Sequence, residues 1–291
     1  MLLPADVCQT VATILQASDA SLHIEPVHGG CISPAARVTD RGDRRSVFAK
    51  WAAADTPAGL FDQEAISLAA LADAGVVRVP AVLHSDARSL VLEWLEPGTA
   101  RPSGWRNFGR ALAALHRVSA SAFGWRQDNF IGPLPQRNTW HESWSEFYQQ
   151  HRIRPQLERA GSVGAFDSGQ RKTLQRFHDN LPDILTHDPA PSLLHGDLWS
   201  GNVHPLENGE LALIDPASCY GDREMDLAMA ELFGGFPSSF FESYEAELAT
   251  DAISRAERRA AYQVYYLLVH VNLFGAGYVA RTIGAAELAL G

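Results

Sequence analysis

Cysteine is scarce in this sequence. The three cysteines, Cys8, Cys31 and Cys219, are odd in number and far apart, so no disulfide framework is expected and a reducing compartment is favoured. The first residues contain Asp6 and have no basic flank, which is unlike a secretory signal peptide. We therefore expect a cytoplasmic protein.

The sequence also lacks an excess of positive charge and a long apolar run. It has 24 Lys and Arg against 34 Asp and Glu, a formal net charge of −10, which argues against nucleic acid or an anionic membrane as a partner. Residues 265–279 are the most apolar late stretch, but they include His270 and Asn272 and are too short to span a bilayer comfortably. With 291 residues, the chain can form a large core or two lobes around a cleft.

The first ninety or so residues predict a mixed α/β unit. Residues 56–74 have helical periodicity and end at Gly75, and Glu96-Pro97-Gly98 is a strong break that we interpret as a hinge. Short β-branched and apolar runs between turn residues predict strands at 21–27, 35–39, 46–51, 79–83 and 89–94.

Helical patterns dominate after this break. Residues 123–138 are rich in Gly, Pro, Asn and aromatics and predict an ordered loop, and Asn208-Gly209 predicts the turn of a hairpin. The predicted fold is α+β, with a small β-rich lobe over 1–95 and a larger, mainly helical lobe over 96–291. Helices are predicted at 105–118, 139–159, 168–185 and from about 222 to 280, and the hairpin strands at 203–205 and 211–214.

The most informative segment is LLHGDLWSGNV, residues 193–203. Asp197 and Asn202 lie five positions apart, and Asp215 follows the apolar run LALI thirteen positions later. Phosphoryl transfer needs a carboxylate that positions the attacking hydroxyl and accepts its proton, and oxygen ligands that hold magnesium against the phosphates. The spacing matches the catalytic loop of kinases, so we assign Asp197 as the base and Asn202 and Asp215 as metal ligands. A capped loop followed by a hairpin would explain any one of these residues alone.

Two charged residues of the first lobe are typical of a nucleotide site. Lys50 ends the apolar run VFAK on a predicted strand, and Glu64 lies in the next helix. In kinases such a lysine binds the α- and β-phosphates and is held by such a glutamate. Either residue alone would usually be a solvated charge.

The remaining nucleotide contacts are predicted mainly from position. Gly29 and Gly30 lie between two predicted strands, where backbone N–H groups could bind phosphate, although Gly-Gly is also common in simple hairpin turns. The strand that enters the hinge would offer the Glu93 C=O and the Leu95 N–H to adenine. Cys31, in the same glycine-rich loop, is a redox candidate.

At this point the sequence resembles the fructosamine kinase (ketosamine 3-kinase) family over nearly its whole length. The resemblance implies a protein-kinase-like two-lobed fold, ATP and Mg²⁺, and phosphorylation of the 3-hydroxyl of ketosamines, which are sugar adducts on amines, followed by loss of the sugar from the amine. It also implies that Asp226 braces the catalytic loop. Trp199 could pack under this loop, or it could offer a flat face to a sugar. The segments that carry the resemblance are HGDLWSGN, FDQEAISLAAL, RVPAVL, LVLEWLEPG, ALAALHR, WSEFYQQHRI and LIDPASCYGDREMDLAM.

Two other readings stay open. The first is another small-molecule kinase of the same fold, acting on aminoglycosides, choline or homoserine. The second is a pseudokinase that binds nucleotide without turnover, although the presence of Lys50, Glu64, Asp197, Asn202 and Asp215 argues against it. The sequence does not select the preferred sugar, nor free amino-acid adducts over glycated proteins.

Overall fold

The computed structural model describes residues 3–27, 33–253 and 255–291. The chain forms two compact units. The first contains Met1–Gly104 and Gly201–Pro216, and the second contains Trp105–Ser200 and Ala217–Gly291. The hairpin that follows the catalytic-loop segment therefore belongs to the first unit. The boundary between the two lobes at residues 95 and 96 stays a prediction.

A five-stranded antiparallel sheet forms the body of the first unit, with strand order β1-β2-β3-β5-β4. Lys50 lies in β3, where it pairs with Ala35 of β2 on one side and Leu90 of β5 on the other. A lysine on an inner strand is fixed in position by ladders on both sides. The strands are β1 (Leu22–Pro26), β2 (Ala35–Asp40), β3 (Ser46–Trp51), β4 (Val82–Ser85) and β5 (Ser89–Glu93).

Two helices belong to the same unit. Helix α1 (Ala5–Leu15), which the sequence reading did not predict, buries Val7 and Val11 in a core shared with valines of β2, β3 and β5. Helix α2 (Leu60–Asp73) buries Phe61, Leu68 and Leu71 and carries Glu64. Apolar spacing of three and four residues accounts for the buried face of each helix.

The hairpin of β9 (Val203–Pro205) and β10 (Leu211–Leu213) is joined to the rest of the first unit by backbone hydrogen bonds. The Leu213 N–H donates to the Arg78 carbonyl at 2.8 Å, and the Gly98 N–H donates to the Pro205 carbonyl at 2.7 Å. Gly209 has φ +85°, the left-handed conformation that glycine adopts readily, so the Asn208-Gly209 turn forms as predicted.

Helices make up most of the second unit, which has two short strand pairs among its described residues. Helix α9 is its central element and is buried along most of its length, including Tyr262, Tyr265 and Tyr266. The helices are α3 (Pro102–Leu115, which begins in the first unit), α4 (Trp144–Tyr148), α5 (Arg154–Ser162), α6 (Ser168–Ile184), α7 (Glu224–Leu232), α8 (Ser238–Glu247), α9 (Arg255–Phe274) and α10 (Val279–Leu290). The short strands are β6 (Asn129–Ile131) with β7 (Leu134–Gln136), and β8 (Ser192–Leu193) with β11 (Tyr220–Gly221).

Two local predictions were wrong. The predicted loop at 123–138 contains the β6–β7 hairpin, whose strands are only three residues long and too short to show an alternating pattern. The helix predicted from residue 139 begins at Trp144, where Ser143 caps it, and passes through a π-helical turn at Gln149–Ile153 before α5. Within the described ranges, the helices are too short or too polar to cross a membrane.

Candidate active site

Lys50 is the centre of a charged cluster in the first unit. Its Nζ lies 2.8 Å from Glu64 Oε1 and 2.6 Å from Asp215 Oδ1. Lys50 itself is only 8% exposed. The sheet, helix α2 and the end of the β9–β10 hairpin each supply one of these side chains, so three distant parts of the sequence meet at this point.

The charges in this cluster are unequal, because two carboxylates share one ammonium. Burial alone would lower the pKa of Lys50, but the charges of Asp215 and Glu64 outweigh it and hold that pKa above its ordinary value. Burial raises the pKa of Glu64 to about 7, with Lys50 opposing the shift and Asp215 adding to it. Lys50 is therefore a cation near neutral pH, and the two carboxylates beside it can balance a further positive charge.

The hairpin register brings the two predicted metal ligands to the same end of β9 and β10. Val203 pairs with Leu213, and the Ile214 N–H donates to the Asn202 carbonyl at 3.1 Å. Asn202 is buried just before β9, and Asp215 follows Ile214 with a left-handed backbone at φ +54°. Aspartate tolerates that conformation better than most residues, and such backbone strain is concentrated at functional sites.

The hinge segment is held from both sides. The Glu93 N–H donates to the Ala81 carbonyl at 2.9 Å, and the Glu93 carboxylate accepts the Ala81 N–H at 3.1 Å. His204 Nε2 donates to the Leu95 carbonyl at 3.1 Å. The contacts of the Glu93 C=O and the Leu95 N–H to adenine stay a prediction. Gly29, Gly30 and Cys31 lie outside the described residues.

The catalytic-loop segment of the second unit requires glycine at position 196. Gly196 has φ +86°, and a Cβ built there would lie 2.1 Å from the Ala217 carbonyl oxygen. The His195 carbonyl accepts the Ala217 N–H at 2.9 Å. No L-residue with a side chain fits so close to a backbone oxygen, so the HGD form of this loop follows from the packing of residue 217 against it.

Asp226 of helix α7 holds the same loop by its backbone. Its fully buried carboxylate accepts the His195 N–H at 2.7 Å and the Gly196 N–H at 2.9 Å. His116, which directly follows α3, contacts Asp226 Oδ2 through Nε2 at 3.2 Å and is held in turn by Tyr244 at 2.8 Å. Asp226 is thus positioned to brace the loop that contains His195 and Gly196, although its functional role stays a prediction.

Asp197 and Trp199 follow in a tight turn. The Trp199 N–H donates to the Asp197 carbonyl at 3.0 Å, and both side chains are partly exposed. The Asp197 N–H donates to His195 Nδ1 at 3.3 Å, which gives His195 a bracing position within the loop. Tyr266 of α9 donates its hydroxyl to the Gly196 carbonyl at 3.1 Å.

Comparison with known proteins identifies the family. The family model described as fructosamine kinase matches residues 5–289. The chain belongs to the fructosamine kinase family. A protein named "Probable ketoamine kinase" in Synechocystis is 40% identical over 87% of this chain and 85% of its own length. The chloroplastic protein-ribulosamine 3-kinase of Oryza sativa subsp. japonica is 36% identical over 88% of this chain and 75% of its own.

Solved structures give the same result for the fold. A fructosamine-3-kinase candidate from Thermobifida fusca superposes with a TM-score of 0.87 at 34% identity, covering 97% of this chain and 99% of that one. A choline kinase from Streptococcus pneumoniae superposes with a TM-score of 0.67 at 15% identity, covering 97% of this chain and 98% of that one, which shows a shared fold only. The α+β, protein-kinase-like fold predicted from the sequence is confirmed.

Sequence reasoning missed several residues that support the site. Tyr266 contacts the Gly196 carbonyl of the loop, His204 contacts the Leu95 carbonyl of the hinge, and His116 contacts the Asp226 carboxylate that holds the loop. Only His204 had a visible signal, since it lies two positions after Asn202 at the start of the predicted hairpin. His116 lies in ALAALHR, one of the segments that carry the family resemblance, but nothing in the sequence around His116 or Tyr266 indicates a role in supporting the loop.

Proposed function

We propose that this protein is an ATP-dependent kinase that phosphorylates the 3-hydroxyl of ketosamines such as fructosamines and ribulosamines, and so leads to deglycation of the amine. The observation that carries the proposal is Lys50 between Glu64 and Asp215, at 2.8 and 2.6 Å, in a chain whose relatives are named ketoamine and ribulosamine kinases. Membership of the family supports ATP as the phosphoryl donor.

The nucleotide is proposed to bind to residues of the first unit. Lys50 would contact the α- and β-phosphates, with Glu64 holding its ammonium in place. Gly29 and Gly30 would supply backbone N–H groups, and the Glu93 C=O and Leu95 N–H would read the adenine edge. The hydrogen bond from His204 to the Leu95 carbonyl supports this because it fixes the carbonyl end of the residue whose N–H would be the donor.

Magnesium fits the oxygen donors of Asn202 and Asp215. Among the described residues, no group of three or more His, Cys, Asp or Glu side chains is arranged to hold a metal by itself. Mg²⁺ needs no such cage, since it is commonly bound by one or two protein oxygens with phosphates and water completing the octahedron. When bound, it would neutralise charge on the phosphates, and Asp215 would then be shared between the metal and Lys50.

Asp197 is proposed to take the proton of the 3-hydroxyl as that oxygen bonds to the γ-phosphorus and the bond to ADP breaks. Trp199 would stand beside the sugar with its indole face against C–H groups. The product, a ketosamine 3-phosphate, would then lose its sugar and release the free amine. A cytosolic location and the lack of nucleic-acid or membrane partners stay predictions.

The experiment that tests this function is an ADP-release assay with ATP and Mg²⁺ on a panel of synthetic fructosamine, ribulosamine and erythrulosamine adducts, beside an aminoglycoside and choline. Turnover of at least one ketosamine, with no turnover of the other two classes, is expected. Turnover of an aminoglycoside or choline alone would transfer the assignment to another small-molecule kinase. No turnover with any substrate, while nucleotide still binds, would indicate a pseudokinase.

A further inference from the structure

Four ring side chains of the second unit form a partly exposed cluster, here called the aromatic cup. His270 is at its centre, with ring centroids 4.6 Å from Phe233, 4.9 Å from Tyr278 and 5.4 Å from Phe274. Phe274 is 57% exposed, and the other three rings are half-buried. Helix α9 supplies two of the rings, and the segments after α7 and before α10 supply the others.

The aromatic cup lies next to the catalytic loop. Tyr266 donates to the Gly196 carbonyl at 3.1 Å, and His270 follows Tyr266 by one turn on the same face of α9. On the other side, a Cβ built at Gly235, two residues beyond Phe233, would lie 2.5 Å from Ser200 Cβ. The cup is therefore bracketed by residues that contact the loop just before Asp197 and just after Trp199.

His270 has a fixed tautomer. Its Nδ1 lies 2.8 Å from the Tyr266 carbonyl oxygen, which can only accept, so Nδ1 carries the proton and the neutral ring keeps a lone pair on Nε2. Burial lowers the pKa of His270 by more than the hydrogen bond to the Tyr266 carbonyl raises it, and the charge of Arg281 lowers it further. Near neutral pH this imidazole is therefore an acceptor at Nε2.

We propose that His270 Nε2 accepts a hydrogen bond from the protonated amine of the ketosamine, with the rings of Phe233, Phe274 and Tyr278 around the carbon atoms bonded to that nitrogen. The inference rests on the proposed function and names the subsite for the amine side of the substrate. A secondary ammonium has two N–H donors and a charge that aromatic faces attract, whereas a free sugar has neither. This subsite would distinguish an adduct on an amine from the sugar itself.

One cation already lies at the rim. The guanidinium carbon of Arg281 is 5.3 Å from the Phe233 ring centroid. Arg281 Nη2 donates to the Leu232 carbonyl at 2.8 Å, at the C-terminal end of α7, where the helix dipole favours positive charge. Because Arg281 is exposed, solvent weakens its repulsion of a second cation without removing it, as its effect on the pKa of His270 shows.

The test compares two substrates that differ in one atom, 1-alkylamino-1-deoxyfructose and the matching 1-O-alkyl ether. The wild-type enzyme should prefer the amine by roughly 10- to 100-fold in kcat/KM, the range for a hydrogen bond to a charged group. His270→Phe keeps the ring packing but has no acceptor. Its KM for the amine should therefore rise, and the preference for the amine over the ether should largely disappear. His270→Gln can place an amide oxygen near the position of Nε2 and should restore part of it.

Leu288→Ala is the matched control, because Leu288 is 58% exposed on α10 and has no place in the cup; both preference and KM should be unchanged. The KM for ATP should not change in any variant. If His270→Phe does not fold, Phe274→Ala decides, since its exposed ring can be removed without opening the core; the KM for the amine should rise several-fold.

The outcomes separate the inference from the function on which it rests. Wild-type activity on the amine, with the full preference kept in His270→Phe or with an unaltered KM in Phe274→Ala, would overturn the subsite and leave the kinase assignment intact. Equal activity of the wild type on the amine and the ether would also overturn it. An enzyme that phosphorylates neither sugar contradicts the proposed function itself.

Discussion

Lys50 and Asp215 are 165 positions apart in the sequence, yet Lys50 Nζ and Asp215 Oδ1 lie 2.6 Å apart. Glu64 contacts the same ammonium at 2.8 Å. Removing the ammonium would leave two buried or half-buried carboxylates facing each other without a partner, which is costly in a low-dielectric place. This pairing therefore connects the proposed nucleotide site with the local stability of the first unit.

Lys50→Met should reduce kcat/KM for ATP by at least about 10³-fold, since it removes both the phosphate contact and the partner of Asp215. The chain has only two lysines, so Lys172→Met, at an exposed position of α6, is a clean control that should keep full activity. An acyl-phosphate ATP probe should label Lys50 and spare Lys172. Labelling of Lys172 alone would refute the assignment of Lys50 to the nucleotide.

Removal of the metal should abolish turnover. Excess EDTA is expected to stop the wild-type enzyme, with recovery on addition of Mg²⁺, because Lys50 alone cannot neutralise the phosphates. Asp215→Asn should be inactive at ordinary Mg²⁺ concentrations, and asparagine also adopts the left-handed backbone of this position, so the loss would not come from strain. Steady-state rates measure both effects, and undiminished activity in EDTA would exclude this mechanism.

Asp226→Asn should lower the free energy of unfolding by about 3 kcal/mol, because a buried carboxylate that holds two loop N–H groups and His116 is lost. Burial by itself would raise the pKa of Asp226, but the hydrogen bond and charge of His116 and the Gly196 N–H outweigh it and lower that pKa. A lowered carboxyl pKa contributes stability that is present above the unfolded value of about 3.9 and is lost as the pH falls through the folded value.

The decisive measurement is the pH dependence of the difference in unfolding free energy between wild type and Asp226→Asn. Urea unfolding at pH 7 should show the full gap between wild type and Asp226→Asn, and the gap should narrow below about pH 4. A gap that stays constant down to pH 3 would show that the carboxylate charge contributes nothing. Asp188→Asn, at an exposed loop position, is the control and should leave stability unchanged at every pH.

Trp199→Ala should raise KM for a fructosamine or ribulosamine strongly and lower kcat, because the reacting hydroxyl loses the surface that aligns it with Asp197. The KM for ATP should change far less. Initial rates with each substrate varied in turn separate the two effects. Trp140→Ala, which removes a ring that is 46% exposed elsewhere in the same unit, is the control. Ketosamine kinetics unaltered by Trp199→Ala would exclude Trp199 from the substrate site.

The placement of Asn202 and Asp215 at the same end of one hairpin could be predicted because their spacing is local, while their catalytic roles stay predictions. Asp197 and Asn202 share one loop, and Asp215 ends a hairpin whose Asn-Gly turn is readable from two residues. The reason for Gly196 was not readable, since it depends on the Ala217 carbonyl, which lies 2.1 Å from the position of the missing Cβ.

The supporting contacts could not be predicted for a related reason. His116 and Tyr266 act through tertiary packing between helices far apart in the chain, and a single sequence carries no record of which helix faces meet. The π-helical turn at Gln149–Ile153 was equally hidden, because one extra residue in a helix leaves the local composition unchanged.

The most direct test of the central claim is time-resolved ³¹P and ¹H NMR of the wild-type enzyme with ATP, Mg²⁺ and a synthetic fructosamine or ribulosamine. The account predicts a phosphate ester on the sugar 3-oxygen, followed by slow appearance of free amine. Asp197→Asn should form the same product roughly 10²- to 10⁴-fold more slowly while still binding ATP. A phosphate on any other oxygen, or an Asp197→Asn enzyme with more than half of the wild-type rate, would contradict it.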